Sequence, residues 1–197
     1  MSVTTAVAGR AHKRAAAMAP DDRRAMIVQA TLPLLLDAGE MVTTRQIADA
    51  AGIAEGTIFR AFADKESLIA AVIDAALDVE PLEQAIAAVD RTQPLEAVLE
   101  AAVKAMQQRV VDIWRLYSAL GPRSHHPGHR PPTALAALVS LLDAYRPRLR
   151  VEPEDAARLL RALTLAMTHP MLVDEPLGPA AIVDLFLHGV VAGRPPC

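Results

Sequence analysis

"TTRQIADAAGIAEGTIFRAFADKESL", residues 43–68, begins three helices and ends two of them within one short stretch. Thr43 and Gln46 have the spacing of a capping box, in which the Thr hydroxyl accepts the Gln amide N–H and the Gln side chain reaches back to the Thr N–H. That predicts a helix over 44–51. Gly52 supplies the left-handed residue that closes it, and Ile53-Ala54 leads into a second short helix over 55–61. Asp64 caps a third, whose Leu68, Ile69, Val72, Ile73, Ala76 and Leu77 form one apolar stripe.

Working outward, Asp21 is a candidate N-cap for a preceding amphipathic helix that carries Met26, Ile27, Ala30, Leu34, Leu35 and Ala38 and ends at Gly39. Pro33 lies inside it. A mid-helix proline removes the bond to the carbonyl four residues back and costs about 3 kcal/mol, which predicts either a kink near Gln29 or different boundaries. Residues 1–20 show no sustained period and read as a flexible arm, basic at Arg10, Lys13 and Arg14. Pro81 breaks or ends the helix after Asp64. Long apolar helices follow at 94–120, 133–145, 153–169 and 179–192, and GPRSHHPGHRPP, residues 121–132, is a loop. Glu-Pro pairs at 80, 152 and 175 mark boundaries, because the residue before proline avoids the helical region.

The fold class is therefore all-α. Of the 197 residues, 52% are apolar, enough for a sizeable core, and apolar residues recur at three- and four-residue spacing. Lys+Arg number 20 and Asp+Glu 23, a net charge of −3. Residues 1–66 balance at zero, so residues 67–197 carry the whole excess; this mild asymmetry neither marks nor excludes a nucleic-acid partner. No apolar run approaches the roughly 20 uncharged residues that span a bilayer. The N-terminus lacks the apolar core of a secretory signal, and the single cysteine, Cys197, allows no intrachain disulfide, so a cytoplasmic location without membrane association is expected.

Two short helices meeting at a glycine turn need a small residue where their backbones cross and apolar plugs on either side. Ala48 fills the first role, and Ile47, Ile53 and Ile58 the second. Phe62 turns inward with Ile58, while Phe59 is half exposed. Thr44, Arg45, Glu55, Thr57 and Arg60 are left facing outward, and such groups reach phosphates and base edges.

From about Arg24 to Leu77 the chain closely resembles the DNA-binding domain of the TetR family of transcriptional regulators. The resemblance rests on Asp37-Ala38-Gly39, the Thr43-Thr44 pair, Ile47-Ala48, Ala51-Gly52-Ile53, Gly56-Thr57-Ile58-Phe59, Phe62, and Asp64-Lys65-Glu66 before Leu68. It implies a three-helix DNA-binding head over 21–66 and a larger helical effector-binding and dimerisation domain over 67–197. It further implies that Thr44 and Thr57 contact the DNA backbone, that Arg60 reaches a base edge or phosphate, and that Lys65 binds phosphate, with Arg45, Glu55 and Phe59 on the same face. The physics agrees, since Lys suits phosphate and the Arg fork matches guanine. The chain departs from the family pattern where Phe59 replaces the common Tyr, Ala61 a frequent His, and Ala54 and Glu55 positions that are often Ser and a polar or small residue. The basic arm would compensate by entering the minor groove.

In the remainder, Met106, Arg109, Trp114 and Tyr117 on one long helix, with Met167 and His169, are candidates for an effector pocket, against a plain core reading. Leu159, Leu163, Ile182, Leu185, Phe186 and Val190 on the last two helices are candidates for a four-helix dimer interface. The expected function is that of a homodimeric regulator on a near-palindromic operator, most simply a repressor released by a small apolar effector. Ala54, Phe59 and Ala61 keep open a second reading, a helical small-molecule-binding or scaffold protein whose head has weakened or lost DNA binding. Catalysis is not expected, for no nucleophile elbow, P-loop or HExxH is present, and no cofactor is implied. His125, His126 and His129 lie in a Pro/Gly loop with neither cysteine nor carboxylate beside them and are read as ordinary loop residues rather than metal ligands.

Overall fold

The computed structural model describes residues 18–121 and 135–190. The arm at Arg10, Lys13 and Arg14, the loop histidines 125, 126 and 129, and Cys197 lie outside the described residues. Within them the chain folds into nine α-helices: α1 Pro20–Ala38, α2 Thr44–Ala51, α3 Glu55–Ala61, α4 Lys65–Leu77, α5 Glu80–Ala87, α6 Leu95–Leu120, α7 Ala136–Asp143, α8 Pro153–Ala166 and α9 Pro179–His188. Short 3-10 turns occupy Gly39–Met41 and Arg146–Arg148.

Local chemistry sets most of these boundaries. The capping box at the start of α2 forms as predicted: the Gln46 N–H donates to the Thr43 hydroxyl at 3.2 Å, and the Thr43 N–H donates to Gln46 Oε1 at 2.8 Å. Gly52 closes α2 in the left-handed region, φ 66° and ψ 33°. At α4, the Ser67 N–H donates to Asp64 Oδ1 at 2.7 Å. Two expectations, on Asp21 and Pro81, need correction. Asp21 is not the cap of α1; Pro20 opens that helix, where a missing N–H costs nothing, and Asp21 and Asp22 sit in its first turn beside the positive end of the dipole. Helix α1 runs through Pro33 and closes at Gly39, as expected, and the carbonyl the proline deprives belongs to Gln29, an exposed residue that water can satisfy. Pro81 begins a helix rather than only breaking one, because a proline in the first turn is pre-set for helical φ; Leu82 and Ile86, four apart, then bury α5. The last three helices are also shorter than their apolar patterns suggested.

Side chains gather in two apolar clusters. One joins Ile27 and Leu35 of α1, Ile47 and Ala48 of α2, Ile58 of α3, Phe62, and Leu68, Val72, Ile73 and Leu77 of α4. The other joins α5, the first half of α6, and α7 to α9 through residues such as Ile86, Leu99, Val103, Leu138, Leu142, Leu160 and Ile182. Helix α6 belongs to both, since Leu116 and Leu120 near its C-terminus complete the first cluster while Leu95 to Met106 sit in the second. The buried Thr31 and Thr164 hydroxyls are satisfied by donating to the carbonyls one turn back, Ile27 at 2.7 Å and Leu160 at 2.8 Å.

The junction between head and body turns on Gly39. Its φ of 56° and ψ of −143° are close to a region that only glycine occupies, and a Cβ there would stand 2.4 Å from the Ala119 carbonyl oxygen of α6. Gly52 has a similar φ of 66° but no atom within 4 Å of a Cβ placed on it. Gly52→Ala is therefore expected to cost about 1–2 kcal/mol, the left-handed penalty alone. Gly39→Ala must add the displacement of α6, so its thermal midpoint should fall well below that of Gly52→Ala; equal midpoints would contradict the steric clash at Ala119.

Candidate nucleic-acid interface

Helices α2 and α3 meet at the Gly52 turn, where the Ile53 N–H donates to the Ala48 carbonyl at 3.0 Å. Ile47, Ala48, Ile58 and Phe62 point into the first cluster, with Ile53 packed half-buried against it. The opposite side presents Arg45, Glu55, Phe59 and Arg60 to solvent, with Thr44 and Thr57 half-buried between. Of the chain's three phenylalanines, Phe62 is 3% exposed and Phe59 52%. Arg45, Glu55, Phe59 and Arg60, read from the sequence as outward-facing, are thus solvent-exposed, and Thr44 and Thr57 are half-buried.

Two of its members have internal partners. The Thr44 hydroxyl donates to the Glu55 carboxylate, tying the start of α2 to the start of α3. Lys65 donates to the Glu40 carbonyl at 2.5 Å, linking α4 to the 3-10 turn after α1. An ammonium has three donors, so two remain on Lys65 for an anion. Sequence reading missed Arg24, which donates to the Ala61 carbonyl at the C-terminus of α3 and lies 4.2 Å from the centre of the Phe62 ring. Arg24 and Ala61 are 37 residues apart, and no local signature announces such a brace.

The six effector candidates divide among four places. Met106 is buried in the second cluster and Met167 is packed against it, while Tyr117 packs against the first. Trp114 and His169, distant in sequence, meet edge to face with ring centres 4.9 Å apart. Beside Trp114 a hollow of about 570 Å³ is lined by Leu36, Arg115, Ser118 and Ala119. Arg109 turns the other way and donates to the carbonyls of Leu77 at 2.6 Å and Ala76 at 3.4 Å, the C-terminal end of α4. Burial pushes its guanidinium pKa down; Asp78 opposes that shift and Arg161 adds to it. A neighbouring tie that sequence reading also missed runs from Gln107, which donates to the Thr168 hydroxyl at 3.0 Å and the Leu177 carbonyl at 2.8 Å.

Among the dimer candidates, Leu159 and Val190 are exposed, and Leu163, Leu185 and Phe186 are half-buried. Ile182 is 0% exposed within the single chain, because it faces the second cluster; it can back a dimer face but not form one. No helix among the described residues is long and apolar enough to cross a membrane.

The arrangement defines a class: a helix-turn-helix head mounted on an all-helical body. Residues 27–72 match the family model for bacterial regulatory proteins of the tetR family, and the described residues share the fold of solved TetR-family structures. It is similar in structure to a TetR family protein from Vibrio parahaemolyticus, with 18% identity, 87% of this chain and 100% of that one covered, and a TM-score of 0.57. A tetR-family transcriptional regulator from Streptomyces coelicolor shares 21% identity over 87% of this chain and 79% of its own, at a TM-score of 0.52. The multidrug binding protein EbrR, solved with imidazole, shares 20% over 87% and 92%, also at 0.52. No curated protein matches the sequence.

The cap of α4 carries a pH signature. The Asp64 carboxyl is held below the usual carboxylate range, chiefly by the Ser67 N–H and then by the Ser67 hydroxyl. Because the folded state binds that proton more weakly than the unfolded chain, its stabilisation is present above the unfolded value, about 3.9, and is lost as pH falls through the lower folded value. Asp64→Asn, which also caps, should leave the midpoint near neutral pH almost unchanged and flatten its fall between about pH 4 and the acid limit of folding. Thermal scans across that range check it.

Proposed function

We propose that the chain is a ligand-responsive DNA-binding transcriptional regulator, most simply a repressor. The observation that carries this reading is the outward face of the head, where Arg45, Glu55, Phe59 and Arg60 are exposed on the helix pair whose opposite side is anchored by Ile47, Ile58 and Phe62. A surface of this kind enters a major groove, with Arg60 able to offer a bidentate fork to a base and Lys65 a charge to phosphate. Thr57 lies half-buried at the edge of this face, in reach of the DNA backbone. For Thr44 the tie to Glu55 modifies the expectation: its proton is already committed, so it supports the face by holding Glu55 and reaches phosphate only if that bond opens.

The functional units are a basic arm over 1–20, the head over 21–66 and an effector and dimer unit over 67–197. Two copies pair through the exposed side of α8 and α9, with Leu159, Leu163, Leu185, Phe186 and Val190 at the contact. In such a dimer two α3 helices would enter successive major grooves of a near-palindromic operator, about 34–36 Å apart or somewhat more. The effector is a small apolar molecule, a class supported by the aromatic pair Trp114–His169 and, at the level of fold, by the multidrug binding described for EbrR. It acts by binding more tightly to the arrangement in which the two heads do not fit the grooves. Arg109 is the suited transmitter, because it fastens the body helix α6 to the end of α4, the helix that completes the core of the head.

Selection from a random DNA pool with the full-length protein tests the reading; enrichment of a near-palindrome is expected, and no enrichment at any salt concentration would refute it. On the selected site, Arg60→Ala should cost about 1–3 kcal/mol and relax preference at one base pair per half-site. Lys65→Ala should weaken all sequences alike and lower the salt slope by about 1 for each lysine replaced. Arg109→Met should retain operator affinity but reduce the release caused by an effector found by thermal-shift screening. Unchanged release in that variant would remove Arg109 from the pathway.

A further inference from the structure

We infer that Phe59 reads the C5-methyl group of a thymine and is a specificity-determining residue of the head. The inference rests on the DNA-binding reading above. At the end of the recognition helix the two phenylalanines are sorted by the fold: Phe62 is sealed in the core, whereas Phe59 leaves half its surface in water. Its ring carries no hydroxyl, so it has no means of bonding a phosphate oxygen, and its contribution to a complex must come from covering apolar atoms. In the major groove the prominent apolar group on a base edge is the thymine methyl, for which Phe is one of the fitting side chains.

The charge around the ring selects the base edges over the backbone. Glu55 lies four residues earlier on α3, on the same helix face as Phe59, and the Thr44 hydroxyl holds its carboxylate in place. A fixed carboxylate repels phosphates, so the stripe that carries Glu55 and Phe59 faces the groove floor, where exocyclic amines and methyl groups are found. Arg60, the next residue and also exposed, turns toward the flank of that stripe, where guanine edges or phosphates accept its donors.

Replacing thymines one at a time by deoxyuridine in the operator selected by the full-length protein removes the methyl and nothing else. Burying one such group is worth about 0.8 kcal/mol, so one thymine per half-site should show about fourfold weaker binding on replacement, and about fifteenfold when both half-sites are changed. Phe59→Ala should bind the two forms equally, with its affinity for the thymine operator lowered to that of the wild type for the deoxyuridine operator. Phe59→Leu, which keeps an apolar contact, should preserve part of the difference, and thermal midpoints of both variants close to the wild type would show that the head is folded. Two results would overturn the inference: wild type binding insensitive to every deoxyuridine replacement, or a methyl preference that persists in Phe59→Ala. Either can occur with the operator still bound, which leaves the regulator reading standing; failure to select any operator would fell both.

Discussion

One helix holds the two halves of this protein together. Over 26 residues, about 39 Å at 1.5 Å per residue, α6 lends its first half to the apolar cluster of the body and its last turns to the cluster of the head. Leu116 and Leu120 are as deeply buried as residues contributed by the head itself, so the head's core is closed by the body. A rigid rod shared by two packed interiors cannot shift at one end without strain or repacking at the other, because close-packed cores have few voids to absorb movement.

The ties that fix this rod are of different kinds. At the end of α6, the Ala119 carbonyl lies against Gly39 so closely that no side chain fits between. Further back, Arg109 reaches across to the last carbonyls of α4, which would otherwise lack donors at the helix end. On the other side, Gln107 ties α6 to the segment between α8 and α9, and Trp114 meets His169 there. The first tie is steric, the second charge-assisted, the third polar and aromatic, and they lie along one helix within about three turns of each other.

How much of this is readable from the sequence depends on how local the cause is. The helix-turn-helix is legible because its determinants are short-range: a capping box three residues wide, a left-handed glycine, and isoleucines at helical spacing. The sorting of Ile58 and Phe62 inward and Arg60 outward follows from the same period. Helix α5 escapes a reading that treats Pro81 as a terminator rather than a first-turn residue, although Leu82 and Ile86 signal it. Long-range ties have no such signal. Nothing near Arg24 points to Ala61, nothing near Glu83 reveals that its carboxylate accepts the Ala136 and Ala137 N–H groups at the start of α7, and the inward turn of Ile182 is decided by which face of α9 the body covers.

The choice of arginine at position 109 also sets what the joint between α4 and α6 responds to. Its guanidinium keeps its charge across every physiological pH, since burial lowers its pKa from a starting value far above that range. A histidine in the same place would have turned acidity into a signal. With arginine there, the joint is indifferent to protons and yields only to something that competes for space or for the carbonyls of Ala76 and Leu77.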